Sequence, residues 1–205
     1  MPSSRNEVRA TMRLFTAIEF EPHVKASLAA VQAEVKRACV SGNFTHSENF
    51  HLTLVFLGEL PAAHVPSLRR AMDDAVRDQP PFTLTADKLG AFSRGGKKIV
   101  WVGLSGAVGQ LHHLYSRLES NLIAQGVLSQ SQSQSQSYSP HITLAREVTT
   151  GVPLSEIHLG TALPITFDAQ AISLMESKRE QGRLVYHRLA RSFLETKGTV
   201  LYGNI

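Results

Sequence analysis

Cysteine is nearly absent. Cys39 is the only one in 205 residues, which excludes an internal disulfide and any multi-cysteine zinc site and fits a reducing compartment. Long apolar runs are missing as well. No stretch approaches the roughly 18 residues a membrane-spanning helix needs, so a membrane protein is not expected. The opening residues, MPSSRNEVRATMRLF, lack the apolar centre of a secretory signal, and the sequence therefore predicts a cytoplasmic protein. There is no P-loop, no dinucleotide-binding glycine pattern and no His-Glu-x-x-His helix, which removes the common signatures of nucleotide-cofactor and zinc chemistry. His112 and His113 are adjacent, so on a helix they diverge by about 100° and do not form the metal-binding i, i+4 pair. Charge is modest, with a net +4 and a pI near 9.4. Without a Lys/Arg block to track a phosphate backbone, that surplus favours anionic partners only mildly.

What is present is an ordinary globular composition, 42% apolar and 19% charged, long enough for one domain with a shared core. Residues 1–11 are polar and patternless, a loose extension. Arg13 to Phe20 alternates as a strand, and Val24, Leu28, Val31 and Val35 then recur at helical spacing between Pro22 and Ala38. Further helices are expected over Pro66 to Val76 and Val108 to Ala124, the latter carrying Leu111, Leu114, Leu118 and Leu122 before a stop at Gly126. Strand-like runs cover His51 to Gly58, Phe82 to Phe92, Ile99 to Leu104, Ala169 to Ser177 and Arg183 to Leu189. Ser129 to Ser137 alternates Ser and Gln with nothing apolar to bury and is expected to be a mobile loop over 129–137. The organisation looks bipartite, two lobes of one domain over residues 12–190, followed by a tail over 191–205.

One tetrapeptide occurs twice. His-x-Thr-Leu appears as His51-Leu52-Thr53-Leu54 and as His141-Ile142-Thr143-Leu144. In an extended strand successive side chains alternate between faces. Each copy therefore presents an imidazole and a hydroxyl on one surface, braced from behind by aliphatic packing. If the two copies face one cleft, they form a set suited to phosphoester chemistry. Opening a cyclic phosphodiester with water needs a base for the nucleophile and an acid for the departing sugar oxygen. Imidazole, with an ordinary pKa of about 6.5, serves either role near neutrality. The Thr53 and Thr143 hydroxyls can donate to the non-bridging phosphoryl oxygens. Strand parity sends Phe56 into the core. It also turns Arg146, five residues after His141, away from the cleft unless the strand ends or bulges there. Phe92 and Tyr138 are candidates to stack on a terminal base. Lys97 and Lys98, beside Arg94, could touch substrate phosphates, although a solvated hairpin tip is the more ordinary reading, and Trp101 reads as packing.

The doubled motif resembles the 2H phosphoesterase superfamily. The runs RLFTAI from Arg13, NFHLTLVFLGE from Asn49, Gly90-Ala91-Phe92 with Val100-Trp101-Val102-Gly103, and SPHITLAR from Ser139 resemble the RNA 2′,3′-cyclic phosphodiesterases, first described as 2′–5′ RNA ligases. The resemblance implies a bilobal, pseudo-symmetric α+β fold, with antiparallel sheets lining a central cleft and helices outside. It implies metal-independent and cofactor-free hydrolysis of an RNA-terminal 2′,3′-cyclic phosphate to a 2′-phosphomonoester, with a slow, reversible 2′–5′ ligation to a 5′-hydroxyl as a property of the family. It assigns His51 as proton donor and His141 as proton acceptor, and makes Arg146 a phosphate or nucleotide contact. The expected partners are RNA ends or nucleotide cyclic phosphates, with no membrane and no obligatory protein partner, for a monomer. The competing expectations are a 2H phosphoesterase for small cyclic nucleotides or ADP-ribose cyclic phosphate, and a non-catalytic nucleotide-binding module.

Overall fold

The computed structural model describes residues 11–132, 138–160 and 162–195. The expected loose extension through residue 10 and Ser-Gln residues 133–137 lie outside the described residues, as do the last ten of the chain. Each helix forms where apolar side chains recur at helical spacing. Helix α1 (Pro22–Arg37) opens on a proline, whose fixed φ suits a first turn, and buries Val24, Leu28, Val31 and Val35. Helix α2 (Val65–Val76) buries Leu68, Ala71, Met72 and Ala75. Helix α3 (Val108–Ala124) buries the four expected leucines and is stopped by Gly126, whose φ of +69° suits a residue without a Cβ.

Strands β1 (Thr11–Glu19), β3 (His51–Pro61), β8 (Ala171–Glu180) and β9 (Arg183–Phe193) form a sheet in the order β3-β1-β8-β9. A second sheet holds β2 (Cys39–Phe44), β4 (Phe82–Arg94), β5 (Lys97–Gly106), β6 (His141–Thr150) and β7 (Ile165–Ala169) in the order β2-β6-β5-β4-β7. All pairings are antiparallel, and the architecture is the mixed α+β fold expected. Helix α1 packs on β2, β6 and β7, while α2 packs on β8 and β9 and α3 on α2 and β3. One continuous core draws on both sheets and all three helices. No helix among the described residues is long and apolar enough to cross a membrane.

The lobes are not the two halves of the chain. Strand β1, beside β3, pairs with β8 of the β8–β9 hairpin from the far end, and β2 pairs with β6. Strand β9 also runs to Phe193, and Leu194 beyond it is buried with its N–H on the Gln170 carbonyl. The chain is therefore ordered past residue 190, where a tail was expected.

Candidate active site

Both motif strands follow the expected alternation. In β3, His51 and Thr53 are half-buried on one face while Leu52 and Leu54 are buried on the other; β6 repeats this with His141, Thr143, Ile142 and Leu144. Strands β3 and β6 belong to different sheets yet come into contact across the lobe boundary. His51, Thr53, His141, Thr143 and Arg146 consequently line one cleft of about 390 Å³.

Each imidazole is oriented by the same device. Nδ1 of His51 lies 2.7 Å from the Asn49 carbonyl oxygen, and Nδ1 of His141 lies 2.7 Å from that of Ser139. A carbonyl only accepts, so each Nδ1 carries a proton and donates it. Nε2 is then the unprotonated nitrogen of each neutral ring. In His51 it accepts a hydrogen bond from Thr53 Oγ1 at 2.8 Å.

Burial lowers both imidazole pKa values from the ordinary 6.5, because the charged ring is the one that loses hydration. The Asn49 and Ser139 carbonyls pull the other way. The Arg146 guanidinium pushes both down further, His141 adds to the effect on His51, and Glu19 opposes it there. A cation felt by both rings stands where an anionic phosphoryl group between them would be neutralised.

Arg146 reaches the cleft because β6 bulges. Thr143 pairs with Trp101 but Ala145 with Val100, so one extra residue enters β6, and Leu144 and Ala145 are buried in succession. Arg146 then returns to the face of His141. Glu147 follows at a φ of +52°, a left-handed conformation uncommon for a residue with a Cβ. The Gln32 side-chain amide braces the bulge, donating to the carbonyls of Thr45 and Leu144, both at 2.7 Å.

Strand β3 carries the same irregularity, and there it corrects an expectation. Ala17 pairs with Thr53 but Phe15 with Phe56, leaving Leu54 and Val55 buried in succession. Thr16, fully buried, stitches this bulge by accepting from the Val55 N–H at 3.1 Å and donating to its carbonyl at 3.4 Å. Phe56 is therefore turned outward, 55% exposed, instead of into the core.

Of the two aromatic candidates, Phe92 stays partly open, its ring 5.1 Å from both Trp101 and His141. Tyr138 does not offer a free face. Its ring lies parallel to Tyr115 at 3.9 Å and its hydroxyl donates to the Thr53 carbonyl at 3.0 Å. It is a strut between the loop before His141 and the His51 strand, not a base platform. Trp101 lies across Gly90, where an added Cβ would fall 2.2 Å from the ring. Lys97 and Lys98 are engaged, with Glu147 at 3.7 Å and the Thr150 hydroxyl at 3.0 Å respectively.

Three cleft residues had no signal in the sequence. Tyr186 meets His51 edge-on at 5.2 Å, and Asn43 and Arg179 line the same cleft. They enter through β2, which pairs with the distant β6, and through the β8–β9 hairpin, which reaches the site because β8 pairs with the distant β1. Among the described residues no cluster of three or more His, Cys, Asp or Glu forms a metal site.

Comparison with known proteins places this geometry. The family model for LigT-like phosphoesterases matches residues 18–101, which include the His51 motif. The RNA 2′,3′-cyclic phosphodiesterase of Escherichia coli is 28% identical over 179 residues, 87% of this chain and 94% of that protein. That of Thermotoga maritima is 29% identical over 136 residues, 66% of this chain and 70% of that protein. The chain is similar to the LigT-like phosphoesterases over residues 18–101. The crystal structure of E. coli LigT in its apo form superimposes on it with a TM-score of 0.70 at 28% identity, covering 90% of this chain and 98% of that one. The same E. coli protein has been solved with 3′-AMP. The second motif at His141 lies beyond the family-model match but within the length covered by the E. coli protein.

Proposed function

We propose that the protein hydrolyses the 2′,3′-cyclic phosphate at an RNA end to a 2′-phosphomonoester, acting as a cytoplasmic monomer without a metal or cofactor. The observation that carries the proposal is the matched pair of imidazoles, each fixed through Nδ1 on a backbone carbonyl with Nε2 left for chemistry. Nε2 of His141 takes a proton from water as the water oxygen bonds to phosphorus. The bond from phosphorus to the 3′ oxygen breaks, and Nε2 of His51 gives that oxygen its proton. Each imidazole ends one proton away from where it began, and exchange with solvent resets the pair.

Thr53 and Thr143 donate to the non-bridging oxygens, and Arg146 neutralises the charge that the attack concentrates there. Phe92, half-open beside His141, offers a face to the terminal base. With a 5′-hydroxyl attacking phosphorus in place of water, the same transfers break the bond to the 3′ oxygen and join two RNA ends through a 2′–5′ linkage. The reverse reaction cleaves that linkage back to the cyclic phosphate. The names of the relatives and the 3′-AMP complex of E. coli LigT support a nucleotide substrate.

The test is turnover of a short RNA ending in a 2′,3′-cyclic phosphate. His51→Ala and His141→Ala should each lose about 10²–10⁴-fold in rate while remaining folded. Wild type that hydrolyses only small cyclic nucleotides would move the substrate to that class. Binding of a nucleoside 2′-monophosphate with no turnover of any cyclic phosphate would leave a binding module.

A further inference from the structure

The reacting phosphate occupies only part of the concave surface. A second trough of about 570 Å³ continues from the cleft over the four-stranded lobe, sharing His51, Thr53, Arg146 and Tyr186 with it and adding Arg13 and Arg179. The β1, β3 and β8 strands present this surface, because Arg13 precedes Phe15 by two residues on the cleft side and Arg179 follows Ser177 by two.

The charges in this trough are unbalanced. Arg13, Arg146 and Arg179 have no acidic partner among the described residues. The Arg13 guanidinium rests over the outward-turned Phe56 ring at 5.2 Å, which fixes its position without neutralising it. Arg179 reaches only the Gly182 carbonyl, at 3.4 Å. The opposite lobe differs: at the β4–β5 hairpin Lys97 faces Glu147, and Lys98 is held by Thr150. Like charges gathered in a concavity repel one another, an arrangement that a bound polyanion relieves. One phosphoryl group between the histidines needs one of these cations, Arg146. Arg13 and Arg179 are surplus to it.

We infer that the four-stranded lobe carries the RNA upstream of the cyclic phosphate, with Arg13 and Arg179 holding the phosphodiesters that precede the terminal nucleotide. This rests on the hydrolytic reading above and extends it from a nucleotide end to an oligonucleotide. The strand leaves the His51–His141 cleft across β1 and β8, not over the β4–β5 hairpin.

Two measurements run side by side separate this inference from the reaction itself. The first is equilibrium binding of a trinucleotide with a 2′-phosphate end against a nucleoside 2′-monophosphate. The second is kcat/KM for the corresponding cyclic phosphates. Wild type should favour the trinucleotide by about tenfold or more at low salt. With two phosphodiesters neutralised, the binding slope against salt should be steeper than that of the mononucleotide by about 1.4, at about 0.7 per phosphate on a single strand. Arg13→Gln and Arg179→Gln should each cut the trinucleotide-to-mononucleotide ratio several-fold, with unchanged melting temperatures confirming the fold. A ratio near one overturns the inference, as does a ratio that survives both substitutions or falls instead with Lys97→Gln. Because binding is read without turnover, an inactive wild type would refute the hydrolytic reading and still leave the trough supported or overturned by the binding ratio.

Discussion

Arg146→Gln is the substitution whose two consequences can be worked separately. The first concerns the phosphate. A hydrogen bond to a charged group contributes about 1.5–3 kcal/mol, and at about 1.36 kcal/mol per tenfold its loss lowers kcat/KM by about 10-fold to 150-fold. The second concerns protons. Arg146 pushes both imidazoles below the ordinary 6.5, after burial in each case. A pair requiring one protonated and one neutral ring gives a bell-shaped kcat/KM profile centred between the two free-enzyme pKa values. With both lowered, that centre lies below pH 6.5 in the wild type. Removing the guanidinium raises both, so the bell must move to higher pH as its height falls. The assay is initial-rate hydrolysis of a cyclic-phosphate substrate from pH 4.5 to 9 under conditions where chemistry is limiting. A loss below about threefold would refute the phosphate contact. A large loss with an unmoved bell would mean that Arg146 acts on substrate without governing the histidines.

Stability should depend on pH through the same rings. Their folded pKa values lie below the unfolded 6.5, so the unfolded chain binds more protons as pH falls, and stability is lost from about pH 6.5 downward through the folded pKa values. Melting temperatures should therefore drop on acidification, and less steeply in His51→Gln; equal slopes would contradict the assigned shift. Gly90→Ala should destabilise by about 1–3 kcal/mol through overpacking, since the new methyl meets Trp101, and should also lower turnover because Trp101 flanks His141. Denaturant unfolding and rate measurements on the same sample check both, and a variant matching wild type would mean that Trp101 has room to move. Hydrolysis should persist in EDTA. Loss on chelation with recovery by a single metal would overturn the metal-free scheme.

The parts of the site that were legible in the sequence are those written by local alternation. His51 with Thr53 and His141 with Thr143 share faces because a strand has a period of two, and nothing outside each tetrapeptide is needed to see it. Phe56 and Arg146 defied the same rule for a physical reason. A bulge is a property of a pair of strands, and the groups that hold these two, Thr16 and Gln32, lie 39 and 112 residues from the bulged positions Val55 and Leu144. Tyr186, Asn43 and Arg179 were hidden likewise, since β2 and the β8–β9 hairpin reach the cleft through the long-range pairing of β2 with β6 and of β8 with β1. Strand β2, with the sequence CVSGNF, does not alternate cleanly, and β7 is only five residues long. Tyr138 looked available because a sequence shows an aromatic ring but not the Tyr115 ring already covering it.

The two bulges make the chain sensitive to counting. Beyond each of them the inward and outward positions exchange, so the distance from histidine to the fifth residue is a phase as well as a length. Side-chain replacements at Leu144 or Ala145 leave that phase intact, but removing one residue there would carry Arg146 through the plane of the sheet and into the aliphatic layer behind it. The His141 tetrapeptide would remain where it is, complete and correctly spelled, facing a cleft without its cation. In this fold a one-residue deletion between motif and arginine is a different kind of event from any substitution, and sequences aligned across such a gap are not aligned in space.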